Sequence, residues 1–388
     1  IEGHWTDDGL CRSLVPTIAP HEGRFYLETT PIQISAETTG TTIRYTLDGT
    51  EPTATVGTLY TDPFVIADGG KKKLKAKVFR EGMADSITAV AEYRVIQITC
   101  SGQTKCYDNS GEVTCPTEGN DFYGQDAQYA VLGMCIPKSY TVSGATPEEI
   151  VTDNNTGLQW QRTLSGNTYT WDNAVAYCEG LAYGGHSDWR LPNYRELESI
   201  VEYGRSSPAI DTDAFPGTFS DDFWSSSFCA DNTGYAWDIN FNYGYFQGYT
   251  KISSYHVRCV RVKSQSEELT FTEEAVSGGV VVNETVTGLQ WAKEYASSVN
   301  WQSALAYCEN LNYGGYIDWR LPNIDELKTL INRSRYAPAS DFPEMPSAYF
   351  WSSSSLAGNA LSAWRVNFDD GYVSSNGKYN DYLARCVR

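Results

Sequence analysis

Positive charge is scarce in this chain. Its 388 residues carry 29 Lys and Arg against 48 Asp and Glu, a formal charge of -19. Such a field repels nucleic acid, heparin-like polymers and anionic membrane surfaces unless a local basic patch overrides it, so no nucleic-acid partner is expected. Long apolar runs are missing too. None approaches the roughly 20 residues of a membrane span, and runs such as Val280-Val281-Val282 are strand-sized, so no direct membrane insertion is expected. Histidine is rare, with only His4, His21, His186 and His256. Neither a Cys-x-x-Cys pair nor a His cluster offers a zinc site. The runs Ser225 to Ser227 and Ser352 to Ser355 lack the Gly-x-Ser-x-Gly elbow of a hydrolase nucleophile, which leaves them a hydrogen-bonding role at strand ends.

What is present begins with length. The chain is two or three times a usual single domain, so two to four domains are expected, each with its own core. With 41% hydrophobic residues, 27 Tyr and 11 Trp, it is globular rather than a disordered acidic tail. The ten cysteines are even in number. Cys178 and Cys259 lie 81 residues apart and Cys308 and Cys386 lie 78 apart, each pair inside one copy of a repeated pattern, which predicts the same bridge made twice. Cys106 and Cys115 flank Tyr107-Asp108-Asn109-Ser110-Gly111, a turn-forming run that a bridge can close. Cys11 with Cys100, and Cys135 with Cys229, complete the expected set. Disulfides on this scale point to an extracellular or cell-surface location.

The repeat is the strongest signal. YCEGLAYGGHSDWRLPN at 177–193 aligns without a gap to YCENLNYGGYIDWRLPN at 307–323, with 13 of 17 positions identical. TGLQW recurs at 156 and 287, FWSSS at 223 and 350, Ala-Trp at 236 and 363, Asn-Phe at 240 and 367, and RCVR at 258 and 385. The expected organisation is a β-sandwich over 1–99, a disulfide-bridged connecting segment over 100–138, and two homologous domains over 139–263 and 264–388. Each repeat reads as α+β. Trp171, Val175, Cys178 and Leu181, matched by Trp301, Leu305, Cys308 and Leu311, recur at helical spacing. A second helix starts after Pro192 and Pro322, where Asn193 with Glu196, and Asn323 with Glu326, have capping-box spacing. Beyond FWSSS the period becomes two, as in Trp237 to Phe241 and Trp364 to Phe368, predicting hairpin strands with one wet side. Residues 12–98 instead alternate short β-rich runs with turns, as a small antiparallel sandwich does. Charge divides unevenly, with 10 basic and 13 acidic residues in 1–99 but 19 and 35 in 100–388.

These motifs resemble known families. The segment from Pro16-Thr17-Ile18 through Thr42-Ile43-Arg44-Tyr45-Thr46-Leu47-Asp48-Gly49, with Leu59-Tyr60, Pro63 and the Lys-rich strand at 71–79, is similar to the chitobiase/β-hexosaminidase C-terminal domain. That resemblance implies an immunoglobulin-like accessory sandwich without catalytic residues. Both repeats, with TGLQW, the helix Cys, DWRLPN, FWSSS and RCVR, look like the Lcl C-terminal domain family, named for collagen-like bacterial adhesins. This second resemblance implies a C-type-lectin-like fold and binding roles rather than catalysis. Family members that bind sulfated glycans need a basic face, and the net acidity of residues 100–388 disfavours that ligand class.

No enzyme chemistry is expected. His186 and His256 do not recur in the second repeat, where Tyr316 and Leu383 stand, so no shared histidine mechanism exists. Adjacent acids such as Asp221-Asp222 and Asp369-Asp370 suit a solvated turn or a calcium ligand better than an acid/base dyad; no cofactor is expected, and structural calcium stays open. The expected ligand surface is the polar face of the last hairpin in each repeat. In the first it comprises Asp238, Asn240, Asn242, Tyr243, Tyr245 and Tyr249. In the second it comprises Arg365, Asn367, Asp369, Tyr372, Asn376 and Tyr379. Such Tyr- and Asn-rich sets combine rigid contact area with adaptable hydrogen bonding, although the same residues also decorate ordinary exposed turns. The expected function is a non-enzymatic surface adhesin for a glycan or protein. Alternatives are a subunit or tip of an extracellular fibre or pilus, built from like subunits, and a hypervariable ligand-binding receptor.

Overall fold

A computed structural model describes residues 4–5, 11–21, 23–26, 31–66, 70–96, 98–131, 135–262 and 270–388. The chain divides into two units, one built mainly from residues 1–98 and the other holding both repeats and most of the connecting segment.

In the N-terminal unit, alternation along the Lys-rich strand Gly70–Phe79 sends Leu74, Ala76 and Val78 inward, while Lys75 and Lys77 reach out to Glu51. This strand sits at the middle of a five-stranded sheet, between Ala89–Ile96 and Thr42–Thr46, with Gly23–Tyr26 and Thr58–Leu59 at the edges. A two-stranded ladder of Thr17–Ala19 and Gln33–Ser35 supplies Ile18 and Ile34 to the same core, and Tyr45 stacks on Phe64 with centroids 4.4 Å apart. The arrangement is sandwich-like.

The connecting segment begins with a hairpin, Cys106–Tyr107 against Glu112–Val113, closed by the Cys106–Cys115 disulfide. Asp108 organises its turn by accepting from the backbone N–H groups of Ser110 and Gly111. A short helix, Asp126–Val131, follows.

Both repeats are mixed α+β and use the repeated motifs in the same way. Cys178 and Cys308 face inward from the helices Trp171–Glu179 and Trp301–Glu309 and bridge to Cys259 and Cys386. By removing loop-closure entropy from the unfolded chain, cross-links over loops this long contribute about 4 kcal/mol each. Asn193 and Asn323 cap the helices Tyr194–Ser199 and Ile324–Thr329 in full capping boxes with Glu196 and Glu326. Those glutamates are also gripped by Arg190 and Arg320 of the DWRLPN motif through paired N–H groups, so the motif closes the helix start rather than a reaction site. The first arginine of each RCVR, Arg258 or Arg385, is buried and held by main-chain carbonyls, those of Gln161 and Arg162 or of Ala292 and Lys293. Burial lowers their pKa values to about 9 and about 10.

Sheet topology joins the repeats. A ten-stranded sheet runs from the first repeat's strands Asp222–Phe228, Tyr235–Asn240 and Tyr245–Thr250 into the second repeat's Val373–Gly377, Asn359–Asn367 and Tyr349–Leu356. It continues through Tyr382–Val387, Gln290–Val299, Gly279–Glu284 and Phe271–Val276. The join is antiparallel at Phe246 and Val373, which occupy equivalent positions of the two copies. The repeats therefore meet about a local two-fold axis through homologous strands.

Two expectations need correction. The strand Tyr235–Asn240 does not keep a wet side: Ala236, Trp237, Asp238 and Ile239 are all buried, because the repeat core covers one face and the second repeat the other. The Cys135–Cys229 bridge does not form. Cys135 and Cys100 are each disulfide-bonded, whereas Cys229 is a buried free thiol whose pKa is pushed up to about 12, chiefly by burial. The side chain of Cys11 lies outside the described residues.

Candidate functional site

The seam between the repeats takes Tyr245 and Tyr372 from the predicted polar set. Tyr245 packs on Trp364 with centroids 5.2 Å apart, and its equivalent Tyr372 packs on Trp237 at the same 5.2 Å. Each such pair is worth about 0.5–1.5 kcal/mol beyond its area. The Tyr245 hydroxyl also bonds Ser375 Oγ at 2.8 Å. Around these rings the two copies have diverged into complementary halves. Position 198 is Glu and its equivalent 328 is Lys; the two face each other at 3.7 Å. Position 203 is Tyr, packed edge-on against Trp364, and its equivalent Arg333 lies over Trp237 and reaches Glu198 at 3.4 Å. Lys328 is further held by Asp325 at 2.6 Å and bonds the Tyr203 hydroxyl at 3.1 Å. Burial works against both charges, yet the cations hold Glu198 below the usual carboxylate range, and Asp325 with Glu198 holds Lys328 above the usual lysine range.

The remaining candidates separate by exposure. Asp238 is fully buried and lies beside Asp222; burial first, then that neighbouring carboxylate, raises its pKa well above the ordinary aspartate value. It is a core group, not a solvated ligand contact. Arg365, at the equivalent position, is clamped between the rings of Tyr349 and Tyr382, 3.8 and 4.4 Å away. Asn240 donates to Asp222, Asn367 is buried and accepts from Asp369 N–H, and Asn376 donates to the Tyr382 hydroxyl. Asn242 accepts from Ser207 at the hairpin turn. Tyr243, Tyr249 and Asp369 are half-buried, and Tyr379 is 82% exposed. Structure thus scatters the twelve residues among core, seam and surface.

The seam residues Glu198, Tyr203, Lys328 and Arg333 were missed by sequence reasoning. Their signal was available in the repeat alignment, where one position carries opposite charges in the two copies.

Ser225, Ser352 and His256 have structural partners. Ser225 and Ser352 donate to the carbonyls of Trp237 and Trp364, and the His256 ring stacks on Phe219 at 4.2 Å. Among the described residues, no three His, Cys, Asp or Glu converge as a group that could hold a metal ion, which includes the acidic pairs considered for calcium. No helix among them is long and apolar enough to cross a membrane.

Tandem α+β modules fused through one sheet are consistent with a repeat-domain protein of the adhesin-like kind. The model of the Lcl C-terminal domain, a non-enzymatic family, matches residues 149–261 and again 280–388, and the chain belongs to that family. Residues 32–93 match a second model, described as Fn3 associated. No curated protein matches the chain. Among solved structures, a quinonprotein alcohol dehydrogenase-like protein from Bacteroides thetaiotaomicron is 9% identical over 95% of this chain and 97% of its own, with a TM-score of 0.16; a likeness that low carries no argument.

Proposed function

We propose that the chain is an extracytoplasmic binding protein whose two lectin-like repeats hold a glycan or protein ligand of a cell or matrix surface, with the N-terminal immunoglobulin-like module as a spacer. The observation that carries this reading is the continuous sheet through Phe246 and Val373. It locks two non-catalytic modules in one fixed orientation, so two sets of surface residues are presented together and binding by both gains from a high effective concentration. Bridges in the connecting segment and in both repeats support an oxidising, extracellular or surface location. Tyr243, Tyr249 and Asp369, with the exposed Tyr379, are the part of the predicted polar set that is open to a ligand. The acidity of residues 100–388 disfavours polyanionic ligands.

The test is retention of the full chain on glycan arrays and on intact cells, beside a Tyr249→Ala/Tyr379→Ala variant. Retention of the wild type and loss in the variant is expected. Absence of any saturable retention refutes the reading, and ordered polymers in electron micrographs would replace it with the fibre-subunit alternative.

A further inference from the structure

The second repeat is already occupied, by this chain's own connecting segment. Phe122 packs near Trp301 with centroids 6.3 Å apart, the Tyr129 ring lies under the Arg320 guanidinium at 5.0 Å, and its hydroxyl donates to Glu309. Asp126 accepts from Ser354 Oγ. Gly124, at φ +92, passes where a Cβ would come within 2.6 Å of Glu309, so the close approach needs glycine there. The occupant is therefore an aromatic-x3-Asp-x2-Tyr element with a glycine between the first two.

The first repeat builds the same receptor surface. Lys251 lies over the Trp171 ring at 4.1 Å, as Lys378 lies over Trp301 at 4.1 Å. Trp171 Nε1 donates to the Ser225 carbonyl at 2.8 Å, and Trp301 Nε1 to that of Ser352 at 2.7 Å. Arg190 grips Glu196 as Arg320 grips Glu326. What differs is the cover and the residue at position 228. The side chain of Arg190 is 32% exposed against 4% for Arg320. Trp171 and Lys251 are half-buried where Trp301 and Lys378 are buried, and Glu179 is exposed. Phe228, which replaces the buried Ser355, is 51% exposed. Phe228 lies under the same Lys251 ammonium as Trp171, 5.5 and 4.1 Å away, so two aromatic rings of the kind that anchor interfaces stand together on a preformed surface.

We propose that this face of the first repeat binds a polypeptide segment of another protein carrying the same element: an aromatic residue for Trp171 and Phe228, an aspartate for Ser227, and a tyrosine under Arg190 with its hydroxyl on Glu179. The inference rests on the binding-protein reading and names a partner class for one of its modules. The two copies of the fold thus play different parts, one clasping its own chain and the other another chain's. Phe228 adds apolar area that the self-occupied copy lacks, which favours a foreign segment with a larger apolar residue at that point.

The probe is a synthetic peptide of this chain's own element, Glu118–Val131, titrated into the full-length protein by calorimetry. Glu179→Lys and Phe228→Asp are exposed substitutions that spare the core. Saturable binding is expected, weakened about tenfold or more by the Glu179→Lys/Phe228→Asp variant and by a peptide with Asp126→Ala and Tyr129→Ala. No binding, or binding untouched by the protein variant, overturns the proposal. Glycan binding abolished by Phe228→Asp without peptide binding assigns the face to sugar, and concentration-dependent dimers abolished by Phe228→Asp assign it to a second copy; either result also overturns it. Failure of the wild type to be retained on cells or arrays counts against the adhesion reading and is measured without the peptide.

Discussion

Replacing Lys328 by methionine tests whether the two repeats are held by their diverged charges. The Lys328 ammonium is buried and has three partners: Asp325 at 2.6 Å, Glu198 at 3.7 Å and the Tyr203 hydroxyl at 3.1 Å. Methionine keeps the length and apolar stem of the side chain, so packing over the Tyr203 ring, 4.5 Å from the ammonium, is largely retained while the charge is lost. Glu198 still has Arg333 at 3.4 Å, so the loss falls mainly on Asp325, which is left as a nearly buried carboxylate without its cation. Removing one partner of a buried pair costs about 3–5 kcal/mol, because the other charge stays desolvated. Removing both costs less. Asp325→Asn combined with Lys328→Met is therefore expected to recover part of the loss, with a coupling of about 1–3 kcal/mol. Urea unfolding of the full chain, followed by the fluorescence of Trp237 and Trp364 in the seam, reads both quantities. Lys75→Met serves as the control, since its partner Glu51 is exposed and such a pair is worth at most about 1 kcal/mol. A Lys328→Met variant within about 1 kcal/mol of wild type, the ceiling for an exposed pair, or additive single effects, would refute the assignment of the seam's stability to this cluster.

Three further outcomes are expected. Gly248→Ala places a Cβ within 2.5 Å of the Cys229 sulfur and is expected to cost about 1–3 kcal/mol by overpacking; adding Cys229→Ala removes the obstacle, and failure of that rescue in melting experiments would disprove the contact. Cys178→Ala with Cys259→Ala, or Cys308→Ala with Cys386→Ala, is expected to cost about 4 kcal/mol through regained loop entropy, and a midpoint shift confined to one pair would contradict the equivalence of the bridges. Burial pushes Lys378 down to about 7, with Asp108 opposing it weakly. The unfolded chain then binds more protons from about pH 7 to the ordinary lysine value, so this group makes stability rise with pH across that window and withdraws on the order of 4 kcal/mol below it. The unfolding free energy of the wild type should rise relative to that of Lys378→Met from about pH 7 to 10, and parallel curves would contradict the assignment.

Much of the local structure was legible in the sequence because its causes are local. The capping boxes at Asn193 and Asn323 are made by residues three apart, and the Cys106–Cys115 hairpin by a turn only a few residues long. Duplication made the two long bridges legible as well: Cys178 with Cys259 needed no chemistry beyond their recurrence as Cys308 with Cys386. The single-copy cysteines had no such second witness, and the expected partner of Cys135 proved to be a free thiol.

The candidate surface was harder to read. Alternation along Trp237-Asp238-Ile239-Asn240 shows which side chains share a face, and it is silent on whether another domain covers that face. Asp238 looks like a solvent-facing acid in sequence and is a fully buried one in the fold. Tyr245 and Tyr372 look like ligand contacts and are each other's counterparts on facing tryptophans.

The sequence by itself determined the helices, their caps, the duplicated bridges and the family, because each depends on neighbours in the chain or on a pattern written twice. Only the tertiary structure decided that the two copies share one sheet, that Glu198 meets Lys328 across it, and that one copy wears the connecting segment while the other is bare. Those outcomes depend on which surfaces meet, and a surface belongs to residues brought together from distant parts of the chain.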